Sequence, residues 1–237
     1  MPLMLDTQMK DEWIQRVWKD NPCVLLDNGN IRTGPVRLAF PDLFQKSKPI
    51  PPNDEGKYGA NLLFPLGVDL TLLENECLEA LTKAPWYRPG MGGMTMPIKD
   101  PAKMPLKDPG GMLKYAGFQG GARYVIATSN DKPLVVDSRM SPVTDEAKVY
   151  PGVWAITTIR AFTYNKGVNK GVGFGLQSVM IVADDNSLGG KPPANPQRDF
   201  GGVNIDASVN TANYVGEDVS TPSAAVSAEE ARKALFG

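Results

Sequence analysis

The chain of 237 residues has no histidine, only two cysteines, and no apolar run near the roughly 18 residues that a membrane-spanning helix requires. Without histidine there is no His-based triad, no HExxH zinc site and no imidazole general base. Metal chemistry would rest on carboxylates alone, and these are scattered. Asp184-Asp185 is the one acidic pair at the end of a strongly patterned strand, and it reads as a solvated turn. No residue constellation supports an enzyme, and neither a cofactor nor a metal is expected. Cys23 and Cys77 are far apart and lack metal-ligand spacing, so they read as free thiols of a reducing compartment. No basic-plus-apolar leader opens the sequence, and the expectation is a soluble protein that is not exported.

What is present is turn chemistry. Glycine (24) and proline (21) together make up about a fifth of the chain, as many turns between short strands would require. The net charge of −1 is unevenly distributed. From Asp184 onward eight acidic residues stand against four basic ones, which leaves that stretch at −4 and residues 1–183 at +3. A modestly basic body with an acidic tail is compatible with phosphate binding without demanding it.

Residues 9–19 have the spacing of a short helix, pairing Trp13 with Val17 and Ile14 with Trp18, and read as a tether packed on the body. Residues 30–40 alternate as a strand, with Val36, Leu38 and Phe40 on one face, and Lys57 to Phe64 reads as another. Asp69 to Lys83 is the strongest helix, its Leu70, Leu73, Cys77 and Leu81 falling on one face and Thr71 with Glu74 spaced as a capping box. One amphipathic helix among strands suits the plug of a small barrel. Residues 84–121 form a long insert rich in Gly, Pro, Met and Lys. Two readings stand for it: an arm lining a nucleic-acid groove with Trp86, Tyr87, Arg88, Lys99, Lys103, Lys107 and Lys114, or a surface arm kept soluble by its lysines. Strands follow at 121–128 and 134–137. After residue 188 the composition predicts disorder up to a capped segment at Ser227–Gly237. Its end, Leu235-Phe236, is either a docking peptide or a frayed terminus.

The most informative stretch is Gly152 to Ala183, which reads as two long strands joined at Asn165–Lys170. Alternate residues of a strand face opposite sides. One face of the first strand carries Trp154, Ile156, Thr158, Arg160, Phe162 and Tyr164, and the other Val153, Ala155, Thr157, Ile159, Ala161 and Thr163. The second set, small and β-branched, suits the inside of a tight barrel. Aromatics interleaved with an arginine suit a surface that stacks bases and neutralises phosphates. The competing reading buries that face under a helix or a neighbouring sheet; Arg160 weighs against it, because an unpaired charge rarely sits in a core. Gly171-Val-Gly-Phe-Gly175 lies inside a strand pattern with no Lys-Ser/Thr after it, which excludes a P-loop and points to curvature or close backbone approach.

The order of these segments carries a resemblance. Val36-Arg-Leu-Ala-Phe-Pro-Asp-Leu-Phe44 and Gly56-Lys-Tyr-Gly-Ala-Asn-Leu-Leu-Phe64 come first, then the helix and the arm. Tyr150-Pro-Gly-Val-Trp-Ala155, Arg160-Ala-Phe-Thr-Tyr-Asn165 and Gly171-Val-Gly-Phe-Gly-Leu176 follow. Over about residues 30–190 the chain resembles the single-stranded DNA-binding proteins of tailed phages, of the kind found in an enterobacterial phage. The resemblance implies an all-β protein with minor α: a five-stranded OB-fold barrel with one helix, a long arm insertion and a disordered tail. The expected division is an extension over 1–29 packing on the barrel, a binding domain over 30–188 with its arm at 84–121, and a flexible acidic tail over 189–237. The implied function is to coat single-stranded DNA in replication and recombination, in the host cytoplasm and without catalysis. Trp154, Arg160, Phe162 and Tyr164 are the expected platform, joined by whichever of Arg123 and Tyr124 faces out. Lys57, Tyr58, Lys107, Lys114, Lys166 and Lys170 are secondary candidates. The resemblance also implies a tail that recruits replication proteins, with Leu235 and Phe236 as its docking residues, although Arg232 and Lys233 dilute its acidity. Oligomers on DNA fit the same picture. The alternative is an all-β phage structural or assembly protein that oligomerises through the 152–183 hairpin.

Overall fold

The computed structural model describes residues 7–49, 55–101, 118 and 123–189, with side chains from residue 12 onward. All belong to the first of two compact units, Met1–Ala194; the second, Asn195–Gly237, lies outside the described residues. In chain order the elements are α1 (Thr7–Asp20), β1 (Val24–Leu25), β2 (Ile31–Arg32), β3 (Val36–Asp42), β4 (Tyr58–Phe64), α2 (Thr71–Thr82), β5 (Arg123–Ser129), β6 (Leu134–Asp137), β7 (Trp154–Lys166) and β8 (Asn169–Ala183). Among the described residues the class is mostly β, with two α-helices.

The eight strands form one sheet in the order β1-β2-β7-β3-β4-β5-β8-β6, and β7 pairs with β8 as well. That extra pairing closes a ring of five strands, β7-β3-β4-β5-β8, in which β5 and β8 run parallel and every other neighbour is antiparallel. This is the five-stranded barrel of an OB-fold. The remaining strands extend the sheet past the ring: β1 and β2 add to β7, and β6 adds to β8.

Binary patterning decides the interior. Val36 and Leu38 of β3, Ala60, Leu62 and Phe64 of β4, and Val125 and Ala127 of β5 alternate inward, each buried. From β7 come Ala155, Thr157 and Ile159, the small and β-branched face read from the sequence, and from β8 Val172, Phe174 and Leu176. The buried hydroxyl of Thr157 pairs with that of Thr33 at 3.2 Å, and Thr33 Oγ1 also accepts from the Thr157 N–H, so neither group is stranded. Helix α2 packs Leu73, Cys77 and Leu81 into the same core. Its first turn is held by the Asp69 carboxylate, which accepts from the Thr71 N–H at 2.9 Å, and not by the Thr71–Glu74 capping box that the spacing suggests. The hydrogen bonds from Thr71 hold the Asp69 carboxyl below the usual carboxylate range.

Helix α1 lies against the body through Ile14 and Trp18; the Trp18 indole donates to the Pro35 carbonyl at 2.7 Å and its ring meets Phe64. Far in sequence but adjacent in space, β3 and the end of β8 are joined by a partly buried polar network. The Arg37 guanidinium donates to the carbonyls of Gly152 and Asn186 and pairs with Asp185 at 3.2 Å. Asp185, its side chain only 3% exposed, also accepts from the Trp154 indole at 2.9 Å, while the Tyr150 hydroxyl bonds Asp184 and the Asp185 backbone. Burial lowers the Arg37 pKa and the Asp185 charge partly restores it. Asp185 therefore sits in a buried ion pair, where the sequence suggested a solvated turn.

Two predictions follow from this packing. Asp185→Ala would leave the Arg37 charge and the Trp154 N–H without their buried partner, at a cost of about 3–5 kcal/mol in urea or guanidinium unfolding; a change within experimental error would show the network to be incidental. Alkaline pH should also destabilise the fold. Burial pushes the Cys77 thiol from 9.0 to about 12, the Cys23 thiol from 9.0 to about 11, and the Tyr150 hydroxyl from 10.0 to about 12. The unfolded chain releases these protons first, so stability is complete below about pH 9 and falls as pH rises toward 12. Melting temperature measured across that range should decline, and less so in Cys77→Ala.

Candidate nucleic-acid interface

The outer face of β7 is the sequence-predicted aromatic face from Ile156 onward. Arg160 and Phe162 are exposed, and Ile156, Thr158 and Tyr164 are half-buried. Each of the three outermost side chains stands opposite a bare residue of β8: Arg160 opposite Gly175, Phe162 opposite Gly173 and Tyr164 opposite Gly171. The Phe162 ring, on a residue 43% exposed, lies 6.4 Å from that of Tyr164 with the planes inclined at 51°. The Arg160 guanidinium leans toward the turn between β1 and β2, where a methyl group on Gly29 would stand 3.5 Å from its Nη2. Glu76 and Glu79 of α2 line the same shallow recess.

The hairpin tip is a two-residue loop, Gly167-Val168, between the paired Lys166 and Asn169. Gly167 has φ +59° while Val168 has no positive φ, which is the glycine-first turn that matches strand twist in tight hairpins. Period-2 alternation puts Lys166 on the face of Phe162 and Tyr164. Lys170 is paired with Asn165 and so belongs to the opposite face. The start of the arm is fixed beside this hairpin. The Thr95 N–H donates to the Lys170 carbonyl and the Val172 N–H to the Thr95 carbonyl, while Lys99 exchanges both bonds with Tyr124. Residues 95–99 thus bridge β8 and β5 where those strands diverge. Gly171 is required here, since a Cβ would stand 2.2 Å from the Thr95 carbonyl oxygen.

Other expected site residues are placed differently. Trp154, 2% exposed, is not on the open face. The register slips between Trp154 and Ala155, and the indole is held by Asp185, by an edge contact with Trp13 at 5.8 Å and by the Arg37 guanidinium over its ring. Of the pair left open, Arg123 faces out, at 3.8 Å from Asp100, and Tyr124 is buried under Phe118 at a ring distance of 5.1 Å. Burial raises the Tyr124 hydroxyl pKa. Lys57 and Tyr58 stand at the start of β4, which the ring separates from β7 by β5 and β8 on one side and β3 on the other. Lys107, Lys114, Leu235 and Phe236 lie outside the described residues.

One exposed aromatic was missed. Alternation places Phe40 inward with Val36 and Leu38, yet it is 44% exposed. The β3–β4 register shifts between Ala39 and Asp42, and Phe40 takes φ +49°, rare for a bulky residue. Its ring rests 6.1 Å from Phe118, on the outer side of β3 and β5 where Ala39, Leu63, Tyr124 and Phe118 form a small second core. The available signal was Pro41, which cannot donate to a ladder and so marks the end of regular alternation.

Comparison with known proteins adds a family. The family model described as Enterobacter phage Enc34, ssDNA-binding protein, matches residues 29–210. Protein p50 of Acyrthosiphon pisum secondary endosymbiont phage 1 is 29% identical over 163 residues, covering 68% of this chain and 86% of its own. Among solved structures, the single-stranded DNA-binding protein of bacteriophage Enc34 in complex with ssDNA is similar in fold, with a TM-score of 0.55, 22% identity, and 70% of this chain and 93% of that one covered. A C-terminal truncation of the same phage protein gives a TM-score of 0.57 at 20% identity, covering 70% and 91%.

The burial difference along β7 predicts that its aromatics separate by phenotype. Trp154→Ala should cost about 3–5 kcal/mol of stability, whereas Phe162→Ala should change it by less than about 1 kcal/mol. Denaturant midpoints check this, and equal losses would mean that Phe162 is core after all.

Proposed function

The chain belongs to the family described as Enterobacter phage Enc34, ssDNA-binding protein, and on that basis we propose that it binds and coats single-stranded DNA with little sequence preference. The observation that carries the reading is the outer face of the β7–β8 hairpin, where the exposed Phe162 ring stands beside Tyr164, with Arg160 below and Lys166 above on the same strand. Aromatic faces accept any unpaired base, because every base has a π-face, and cations beside them follow the phosphates. Duplex DNA offers its bases only as stacked pairs and has no face free for Phe162. Arg123, Lys170, Lys57 and Tyr58 are secondary candidates for contacts to the same DNA strand, as are Lys107 and Lys114, which lie outside the described residues. Trp154 leaves the platform and anchors the strand that carries it. Tyr124 likewise supports the adjoining face from beneath Phe118.

The division into an extension over 1–29, a binding domain over 30–188 and an acidic tail over 189–237 belongs to this proposal. So do a role in phage DNA replication and recombination in the host cytoplasm, recruitment of replication proteins through Leu235 and Phe236, assembly into oligomers on DNA, and the absence of catalysis. Among the described residues no helix is long and apolar enough to cross a membrane. One observation favours a second reading, self-assembly through the 152–183 hairpin: Ile156, Met180 and Val136 are half-buried and in register across β7, β8 and β6.

Anisotropy of a labelled poly-thymidine oligonucleotide, titrated at two salt concentrations with duplex DNA as control, tests the proposal. Binding should be much stronger to the single strand and weaken with salt. Phe162→Ala and Tyr164→Ala should each lose about 1–3 kcal/mol of affinity. Absence of binding, with oligomers seen by size-exclusion light scattering, would replace this reading with the second.

A further inference from the structure

The glycine facing Phe162 has a specific steric role. Gly173 is directly opposite Phe162 in the β7–β8 pairing, and a Cβ there would lie 2.9 Å from Phe162 Cζ and 3.1 Å from Cε1. Real Cβ atoms do not approach that closely, so the tip of the ring occupies the space that any other residue at 173 would fill. The three nearest atoms all belong to the Phe162 ring, unlike those at Gly171, which belong to the Thr95 main chain. Nor does Gly173 have a positive φ; its backbone is open to any residue. Glycine weakens a strand interior, and a residue with a side chain would support β8 better. Two residues along, on the same face, a Cβ at Gly175 would meet nothing nearer than 3.7 Å.

We propose that Gly173 is a positioning residue for DNA binding: its missing side chain lets the Phe162 ring lean across β8, and this orientation presents the ring to an unpaired base. A methyl group at 173 would displace the flexible end of Phe162 and leave the barrel intact. The inference rests on the reading of Phe162 as a stacking residue, and it adds the reason why its cross-strand partner lacks a side chain. Without that room the ring must rotate away from β8, and the surface it shares with Tyr164 changes.

The test is a double-mutant cycle on the full chain with a labelled poly-thymidine oligonucleotide, comparing Gly173→Ala, Phe162→Ala and the pair. Gly173→Ala should keep or raise the melting temperature, since it removes freedom from the unfolded chain at a position where alanine is not strained. It should weaken binding about tenfold, within the range of one lost stacking contact. The double variant should bind no worse than Phe162→Ala alone, because a residue acting only through Phe162 has nothing left to disturb. Gly175→Ala is the control and should bind as the unaltered chain does. Losses that add in the double variant, an equal loss in Gly175→Ala, or unchanged affinity in Gly173→Ala while Phe162→Ala weakens binding would each overturn the positioning role alone. Unchanged affinity in Phe162→Ala would remove the stacking platform itself, and the positioning role with it.

Discussion

Everything in this fold depends on one strand pairing in two directions at once. β7 is bonded to β8 along its whole length and to β3 and β2 on its other edge, and without those bonds the five-strand ring is an open sheet. Closure imposes opposite demands on the two faces of β7. The inner face must be small, because five strands enclose little room, and Ala155, Thr157 and Ile159 meet that demand. The outer face is free of it. It can carry Arg160, Phe162 and Tyr164 because stability is supplied from the other side and from the ladder. A binding face built on paired backbone is more precise than one built on a loop, and the proposed site lies on the strand whose pairing closes the barrel.

Closure also explains the polar network at the foot of β7. The strand begins at Trp154, the point where β3 and the end of β8 converge, and the register slips there. A slip leaves backbone and side-chain groups out of step with the ladder. Arg37, Asp185 and Tyr150 satisfy them with hydrogen bonds to Gly152, Asn186, Trp154 and one another. The ion pair between Arg37 and Asp185 is largely buried, with Asp185 the more enclosed member, and removing either is more costly than the pair is worth in net stability. This corner therefore fixes where β7 starts, and by period-2 alternation it fixes which residues face outward ten positions later.

How much of this was legible follows from the range of the interactions. Local patterns were readable: the α2 stripe of Leu73, Cys77 and Leu81, the alternation of β4, and the division of β7 into an apolar and an aromatic face. The resemblance then supplied the barrel. Interactions between distant segments left no local trace. Nothing near Trp154 announces that Asp185 will bond its indole, so alternation alone assigned it to the open face. Phe40 failed in the opposite direction, since alternation groups it with Val36 and Leu38, which the fold buries, and a bulge turns it out. Both errors fall where a strand begins or ends, where register is set by partners that a single sequence does not show. Whether Arg123 or Tyr124 faces out is open in the sequence. The parity of Tyr124 is outward, and it is buried only because Phe118, from the far end of the insert, covers it.

The glycines of β8 show how closure and binding constrain one segment together. Gly171, Gly173 and Gly175 share a face, and a strand interior with three glycines is weak by propensity. At Gly171 the backbone of Thr95 takes the vacant space, so the arm is fastened to the sheet there. At Gly173 the space is taken by the Phe162 ring, a cross-strand contact that restores part of the packing the glycine lacks. At Gly175 a Cβ would make only ordinary contacts, none nearer than 3.7 Å. A methyl group would fit at 175 without displacing a neighbour. Three glycines on one strand face therefore answer different constraints, Gly171 the attachment of the arm and Gly173 the lean of the Phe162 ring across β8.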